Sequence, residues 1–187
     1  MLDAARRLIR TKDGDFTTQE LVAEAGVALQ TFYRYFASKD ELLLAVIGDA
    51  MIEACDRWAD AAKDLSSPMD RLRLYVTAPL ERLNGDSHDG AGVRFIVSTH
   101  WALHRVFPHE LAEAEKPFVE LLLAEVHAAA DAGLLHPHHA QWDAWFVVEL
   151  LRSVYHFYAY ADHPADDLNT IKENLWQFCR TALGASC

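Results

Sequence analysis

Side chains that can hydrogen-bond a nucleic acid are concentrated in one short segment. Its polar and aromatic members are Gln30, Thr31, Tyr33, Arg34 and Tyr35. Amide and hydroxyl groups pair with base edges, and guanidinium and phenol groups bind phosphates while the rings pack on sugars. Leu29, Phe32 and Phe36 recur at i, i+3 and i+7, which predicts a helix with these three on its core side. We therefore expect a helix that reads a groove of duplex DNA.

Gln30 has two interpretations. Its amide can pair with adenine through two hydrogen bonds, which would make it a base-reading residue. It can equally be a polar residue that faces solvent.

A complete helix start precedes the reading segment. Thr17 can cap a helix, Glu20 completes a capping box three residues later, and Phe16 can pack on Leu21 as a hydrophobic staple. Gly26 then stands where a residue with positive φ would end the helix. A short helix, a tight turn and a second helix form a helix-turn-helix, which spans about residues 17 to 39.

A second helix start follows the reading segment. Ser38 and Glu41 have the spacing of another capping box, and Lys39 between them is placed to contact a phosphate. The apolar residues that would join this helix to the rest of the chain are Leu42, Leu43, Val46 and Ile47.

Helical periodicity extends along the 187 residues, without two-residue alternation between Asn-Gly or Asp-Gly turns. Breaks fall, among other places, at residues 12–15, 84–92 and 162–166. We predict an all-α protein of about nine helices, the first three of about 7 to 12 residues. The predicted domains are a three-helix module over residues 1–47 and a larger helical domain over 48–187.

The formal net charge of −11 argues against DNA binding, because neutralised phosphates supply most of the non-specific affinity. The charge is unevenly distributed, however. Residues 1–48 hold six Lys/Arg and seven Asp/Glu, whereas the remainder holds eleven and twenty-one. An acidic body would repel a duplex and leave the near-neutral end as the docking face.

Several classes of protein are disfavoured. No run of 18 apolar residues occurs, so we expect a cytoplasmic protein without a membrane span. Cys55, Cys179 and Cys187 are odd in number and far apart, which disfavours disulfides and a metal site. Nucleophile-elbow, phosphate-loop and zinc-protease motifs are lacking, so we expect neither an enzyme nor a cofactor.

These ordered segments resemble the TetR family of bacterial transcriptional regulators. The resemblance rests on Thr17-Thr18, on Ala25-Gly26-Val27, on residues 31–36 and on residues 38–42. Ala28 departs from the family, which often has a capping Ser there, and Gln30 replaces a small residue. The residues that the resemblance places at DNA are Thr17 or Thr18, Thr31, Tyr33, Tyr35 and Lys39. Tyr33 and Lys39 would bind mainly phosphates, with Phe32 and Phe36 in the core.

Residues 141–161 form the most aromatic segment. They are apolar on nearly every side, so we expect burial on nearly every side. One face carries Ala144, Val147, Leu151, Val154 and Tyr158. The opposite face mixes aromatic and polar groups, and its candidate effector-binding residues are Trp145, Glu149, Ser153 and His156. Such a mixture suits a ligand cavity. It suits a dimer interface equally well, since the resemblance implies that the last two helices pair with those of a second copy.

A second group of candidate effector contacts lies on a helix over about residues 92–107, where the resemblance places them. Its members are Phe95, His100, Trp101, His104 and Phe107. His100 and His104 are spaced to bind Zn²⁺ together, but a site needs a third ligand, so we expect no metal.

The sequence therefore predicts a ligand-responsive repressor. We expect a homodimer on a palindromic operator, with half-sites about 34 Å apart, released by a small apolar or aromatic effector. The alternative is a helical protein-interaction module that does not bind DNA.

Overall fold

The computed structural model describes residues 1–12, 15–83, 90–160 and 167–185, and these are almost entirely helical. The α-helices are α1 (Leu2–Lys12), α2 (Thr18–Ala25), α3 (Leu29–Tyr35), α4 (Lys39–Ala62), α5 (Pro68–Thr77), α6 (Gly90–Val106), α7 (Pro108–Asp131), α8 (Ala140–Ala159) and α9 (Leu168–Ala182), with a 3₁₀ helix over Ala78–Leu83. The all-α prediction is confirmed, and the first three helices have 11, 8 and 7 residues. The predicted breaks at residues 13–14, 84–89 and 162–166 lie outside the described residues.

The described residues form two compact units. The first comprises Met1–Met51 and Gly85–Glu115, and the second comprises Ile52–Asn84 and Lys116–Cys187. Helix α6 therefore belongs to the same unit as α1 to α3. The functional boundary between residues 47 and 48 stays a prediction. No helix among the described residues is long and apolar enough to cross a membrane.

The first unit is built around a continuous apolar core. Helix α1 contributes its Ala4, Ala5, Leu8 and Ile9 stripe, and Leu21, Phe32 and Leu42 bring α2, α3 and α4 into the same cluster. Helix α6 adds Phe95 and Leu103. Complete burial of a Leu or Phe side chain contributes about 1.5 to 3 kcal/mol. The three short N-terminal helices are thus held by shared burial rather than by their own length.

The second unit packs α5, the 3₁₀ helix, α8 and α9 together. Its end is fixed by Gly184, whose φ is 77° and whose carbonyl accepts the N–H of His136 at 3.1 Å. A Cβ at residue 184 would lie 2.5 Å from the His136 carbonyl oxygen, so only glycine fits. Cys55 and Cys179 are buried free thiols, and burial raises their pKa values to about 11 and about 12. Cys187 lies outside the described residues.

Helix α8 corrects one prediction. We expected burial on nearly every side, but among the described residues only the face of Ala144, Val147, Val148 and Leu151 is buried. Of the face that the periodicity predicted, Ala144, Val147 and Leu151 are buried, whereas Val154 and Tyr158 are half-buried. Neighbours within the second unit cover just one side of α8, so its aromatic face stays exposed.

Candidate nucleic-acid interface

Helix α2 begins at the predicted capping box. The Thr17 hydroxyl accepts the Glu20 N–H at 3.2 Å, and the Glu20 carboxylate accepts the Thr17 N–H at 2.7 Å. Lys12 forms an ion pair with the same carboxylate. The hydrogen bond from Lys12, followed by that from the Thr17 backbone, lowers the pKa of Glu20 to about 2. Phe16 and Leu21 are buried in the same cluster, as the staple requires.

The turn after α2 has the predicted geometry. Gly26 adopts a left-handed conformation with φ 66°, and its N–H reaches the Ala23 carbonyl at 3.2 Å. The N–H of Val27 reaches the Val22 carbonyl at 3.0 Å. These bonds satisfy carbonyls at the end of α2 and turn the chain into α3 within three residues.

Helix α3 is anchored by a single side chain. Phe32 is completely buried, and its ring contacts the Tyr33 ring edge-on at 5.1 Å and the Phe36 ring at 5.8 Å between centroids. Ala28, at the N-cap, provides no side-chain hydrogen bond. The prediction for Leu29 is wrong, because this side chain is 38% exposed. A helical side chain lies over the preceding turn of its own helix, and the first residue of α3 has none.

The outward faces of α3 carry the candidate reading residues. Tyr33 and Tyr35 are 57% and 62% exposed, Gln30 and Arg34 are also exposed, and Thr31 is half-buried. The Arg34 guanidinium lies 4.9 Å from the centroid of the Tyr35 ring and donates to its hydroxyl at 3.2 Å. Within the described ranges Arg34 forms no ion pair. Its charge is therefore presented to solvent from a side chain that lies over the Tyr35 ring.

Lys39 links the start of α4 to the residue before Thr17. Its ammonium donates to the Phe16 carbonyl and lies 4.1 Å from the centroid of the Phe16 ring. A phosphate contact of Lys39 stays a prediction. The Ser38 hydroxyl accepts the Glu41 N–H at 3.1 Å, as predicted, but the Glu41 carboxylate takes the N–H of Ala37 rather than that of Ser38.

Most other cations of the N-terminal module are paired with carboxylates. Arg6 binds Asp49 at 2.7 Å, and Arg7 binds Glu24 at 2.7 Å. Together with the Lys12 pair, these bonds neutralise half of the six Lys/Arg residues in this part of the chain. Arg34 differs from these three cations, because it lies on α3 and forms no ion pair with a carboxylate among the described residues.

The candidate DNA-binding residues all lie in the first unit. Thr17 is exposed and Thr18 half-buried at the start of α2. Phe16 joins this helix start to Lys39, so the starts of α2 and α4 lie together.

The sequence did not predict the contacts of Lys12 with Glu20 and of Lys39 with Phe16. Both bridge separate elements, and no local pattern encodes them.

The candidate effector residues on α6 do not share one surface. Phe95 and His100 are buried, and Phe107 packs half-buried against the core of the first unit. His100 Nε2 lies 3.0 Å from Glu115 Oε1. Trp101 and His104, in contrast, are exposed, with their rings edge-on at 6.4 Å. Among the described residues no group of three metal-ligating side chains occurs.

The candidate effector residues on α8 lie on its uncovered side. Trp145 and Ser153 are exposed, whereas Glu149 and His156 are half-buried. Both carboxylate oxygens of Glu149 accept from Arg152 at 2.7 Å. The neighbouring rings pack on one another with centroids 5.2 to 6.3 Å apart, and this aromatic cluster consists of Trp142, Trp145 and Phe146.

Helix α9 adds a further exposed ring. Ile171, Leu175 and Leu183 recur at helical spacing along one apolar stripe of α9 and its C-terminal cap, and all three are buried within the second unit. Phe178, which belongs to the same stripe by spacing, is exposed. The stripe therefore divides between the core of the unit and its surface.

Comparison with known proteins shows that the N-terminal part of the chain is similar to a known family. Residues 1–46 match the family described as "Bacterial regulatory proteins, tetR family". The HTH-type transcriptional regulator EthR of Mycolicibacterium smegmatis is 38% identical over 74 residues, which cover 39% of this chain. The matched segment spans 33% of that relative.

The fold of the whole chain is similar to solved regulators. FadR of Bacillus subtilis, solved with stearoyl-CoA, has a TM-score of 0.77 at 16% identity, covering 97% of this chain and 96% of that one. Thermus thermophilus FadR, a repressor solved with lauroyl-CoA, has a TM-score of 0.75 at 17% identity, covering 100% of this chain and 94% of that one. At such identities the similarity establishes the fold.

Proposed function

We propose that this chain is a transcriptional regulator of the TetR family that binds operator DNA through α2, α3 and the start of α4; the family match over residues 1–46 supports this. Arg34 is the observation that carries this proposal. It is exposed, stacked on Tyr35 and free of carboxylate partners among the described residues, in a chain of net charge −11. A polyanion is the partner that such a side chain fits.

The contacts divide into two kinds. Tyr33, Arg34 and Lys39 bind phosphates and position the module, as do the hydroxyls of Thr17 and Thr18. Gln30 and Thr31 at the start of α3, with Tyr35, face the base edges.

Selection of bound duplexes from a random pool tests the proposal. A palindromic consensus with half-sites about one helical turn apart is expected. Binding should weaken steeply with salt, and Arg34→Ala should reduce it without changing the helical content. Absence of any salt-dependent duplex affinity would overturn the proposal and favour a protein-interaction module instead.

We infer that the functional form is a homodimer paired through α8 and α9. The exposed rings of Trp142, Trp145, Phe146 and Phe178 support this inference, because a large exposed apolar patch marks an interaction site. Sedimentation velocity tests it. A monomer at all concentrations would contradict it.

We propose an apolar effector that releases the repressor from DNA in the cytoplasm. The acyl-CoA complexes of the two FadR proteins make fatty acyl thioesters the first class to test, ahead of smaller apolar or aromatic molecules. Lauroyl-CoA should raise the melting temperature and weaken duplex binding, which needs a coupling of about 1 to 3 kcal/mol. Free coenzyme A is the control. An unchanged duplex affinity at saturating lauroyl-CoA would exclude this class.

A further inference from the structure

We propose that Glu20 restrains the duplex affinity of the N-terminal module by competing with a DNA phosphate for the donor groups of Lys12 and Thr17. This inference rests on the proposed function, because it concerns the strength of the same contact. It assigns to a helix-capping residue a second role as a limit on DNA binding.

Glu20 engages every donor that Thr17 offers. Its Oε2 atom accepts the Thr17 backbone N–H at 2.7 Å and the Thr17 hydroxyl at 3.0 Å. Its Oε1 atom pairs with the ammonium group of Lys12. One carboxylate thus collects three donors beside the start of α2.

A phosphate requires the same partners as this carboxylate. Both are anions that accept charge-assisted hydrogen bonds from ammonium and backbone groups. A phosphate near Thr17 would be repelled by the negative charge of Glu20. The phosphate can bind Lys12 only when Glu20 releases the Lys12 ammonium group. Each cation that moves onto DNA adds about 0.9 to the slope of log affinity against log salt. Glu20 therefore lowers both the affinity and its salt dependence.

Helix α2 contains a matched carboxylate one turn away. Glu24 pairs with Arg7 at 2.7 Å, and the side chains of this pair are 39% and 48% exposed. Those of Glu20 and Lys12 are 41% and 43% exposed. The two pairs are equal in charge and exposure, but Glu24 lies beyond the cap at Thr17.

Glu20→Gln and Glu24→Gln should be compared on the duplex that the wild-type protein selects. Both variants remove one negative charge, and a Gln at the third helical position preserves the capping box. Fluorescence anisotropy between about 50 and 200 mM salt gives the affinity and the slope. We expect Glu20→Gln to bind about three- to tenfold tighter at low salt, with a slope steeper by about one. Glu24→Gln should change both much less.

If Glu20→Gln and Glu24→Gln changed the affinity and the slope equally, the loss of one negative charge would explain both effects, and the inference would be overturned. Binding by a folded Glu20→Gln that is unchanged or weaker would overturn it too. A wild-type protein that binds no duplex would instead overturn the proposed function, and this inference with it.

Lys12→Gln keeps the inference testable if Glu20→Gln fails to fold. Loss of Lys12 leaves the Glu20 charge uncompensated beside the phosphate, so duplex binding should weaken. The slope should change by much less than one, because Glu20 holds this cation away from the DNA in the wild type. A slope that becomes shallower by about one would show that Lys12 already lies on the DNA in the wild-type protein, and Glu20 would then not restrain it.

Discussion

Exposed aromatic rings occur on α3 and on α8, but their neighbours differ. On α3, Tyr33 and Tyr35 carry hydroxyl groups, and Arg34 stacks on one of the rings. On α8, Trp142, Trp145 and Phe146 pack on one another. Rings that come with donors and a cation suit a polyanion, whereas rings that pack together suit another apolar surface. The neighbours of an aromatic side chain, rather than its exposure, indicate its partner.

The largest expected effect is on the α8 surface. Phe146→Glu places a carboxylate within the aromatic cluster, and its burial in a dimer would cost about 3 kcal/mol or more. The dimer dissociation constant should rise about a hundredfold in sedimentation equilibrium. Trp101→Glu is the control, because Trp101 on α6 is 59% exposed and Phe146 is 57% exposed. Similar effects of the two substitutions would break the distinction between these surfaces.

The α3 surface should respond in a different measurement. Arg34→Ala removes a cation that has no carboxylate partner among the described residues, so duplex affinity should fall by about 1 to 3 kcal/mol while the dimer persists. Fluorescence anisotropy and sedimentation measure the two properties. Arg105→Ala, at an exposed residue of α6, is the matched control. A loss of dimerisation in Arg34→Ala would contradict the separation of roles.

The turn that orients α3 gives a smaller effect. Gly26→Ala forces a side chain into the left-handed region, which costs about 1 to 2 kcal/mol of unfolding free energy although the space around it is open. Gly48→Ala within α4 provides the comparison, since its Cβ would meet Ala114 at 3.4 Å. Urea denaturation measures both. If Gly26→Ala were as stable as the wild type, the turn must adopt another backbone conformation at residue 26, and the predicted cost would be wrong.

The smallest expected effect is a dependence on pH. The pKa of Glu20 is lowered to about 2 from an ordinary 4.5, so its stabilisation is present above about pH 4.5 and is lost as the pH falls through 2. The difference in unfolding free energy between wild type and Glu20→Gln should therefore shrink over this range. If the difference in unfolding free energy between wild type and Glu20→Gln did not depend on pH, the lowered pKa of Glu20 would be contradicted.

Phe146→Glu should depend on pH in a different property. Protonation of the introduced carboxyl group removes its charge, so lower pH should restore dimerisation of this variant.

The sequence predicted the features that depend on residues within a few positions of one another. The box at Thr17, the turn at Gly26 and the burial of Phe32 are of this kind. Periodicity also identified the buried face of α8. It could not show that the opposite face stays uncovered, because identical spacing serves a core and an interface.

The remaining differences arise from packing between distant segments. The links of Lys12 to Glu20 and of Lys39 to Phe16 depend on how helices meet, and local spacing does not specify this. The candidates on α6 were grouped because they share a helix. The fold buries His100 and exposes Trp101, since adjacent helical residues point in different directions.

Helix α3 has seven residues and no side-chain cap, and a helix this short is unstable in water by itself. Its amide hydrogens are thus protected from exchange only while Phe32 remains in the core. We therefore expect local opening of α3 to cost less free energy than global unfolding, which amide hydrogen exchange would measure. If α3 is the proposed reading element, contact with DNA would suppress this local opening, and part of the contact energy would be offset by the conformational entropy that is lost.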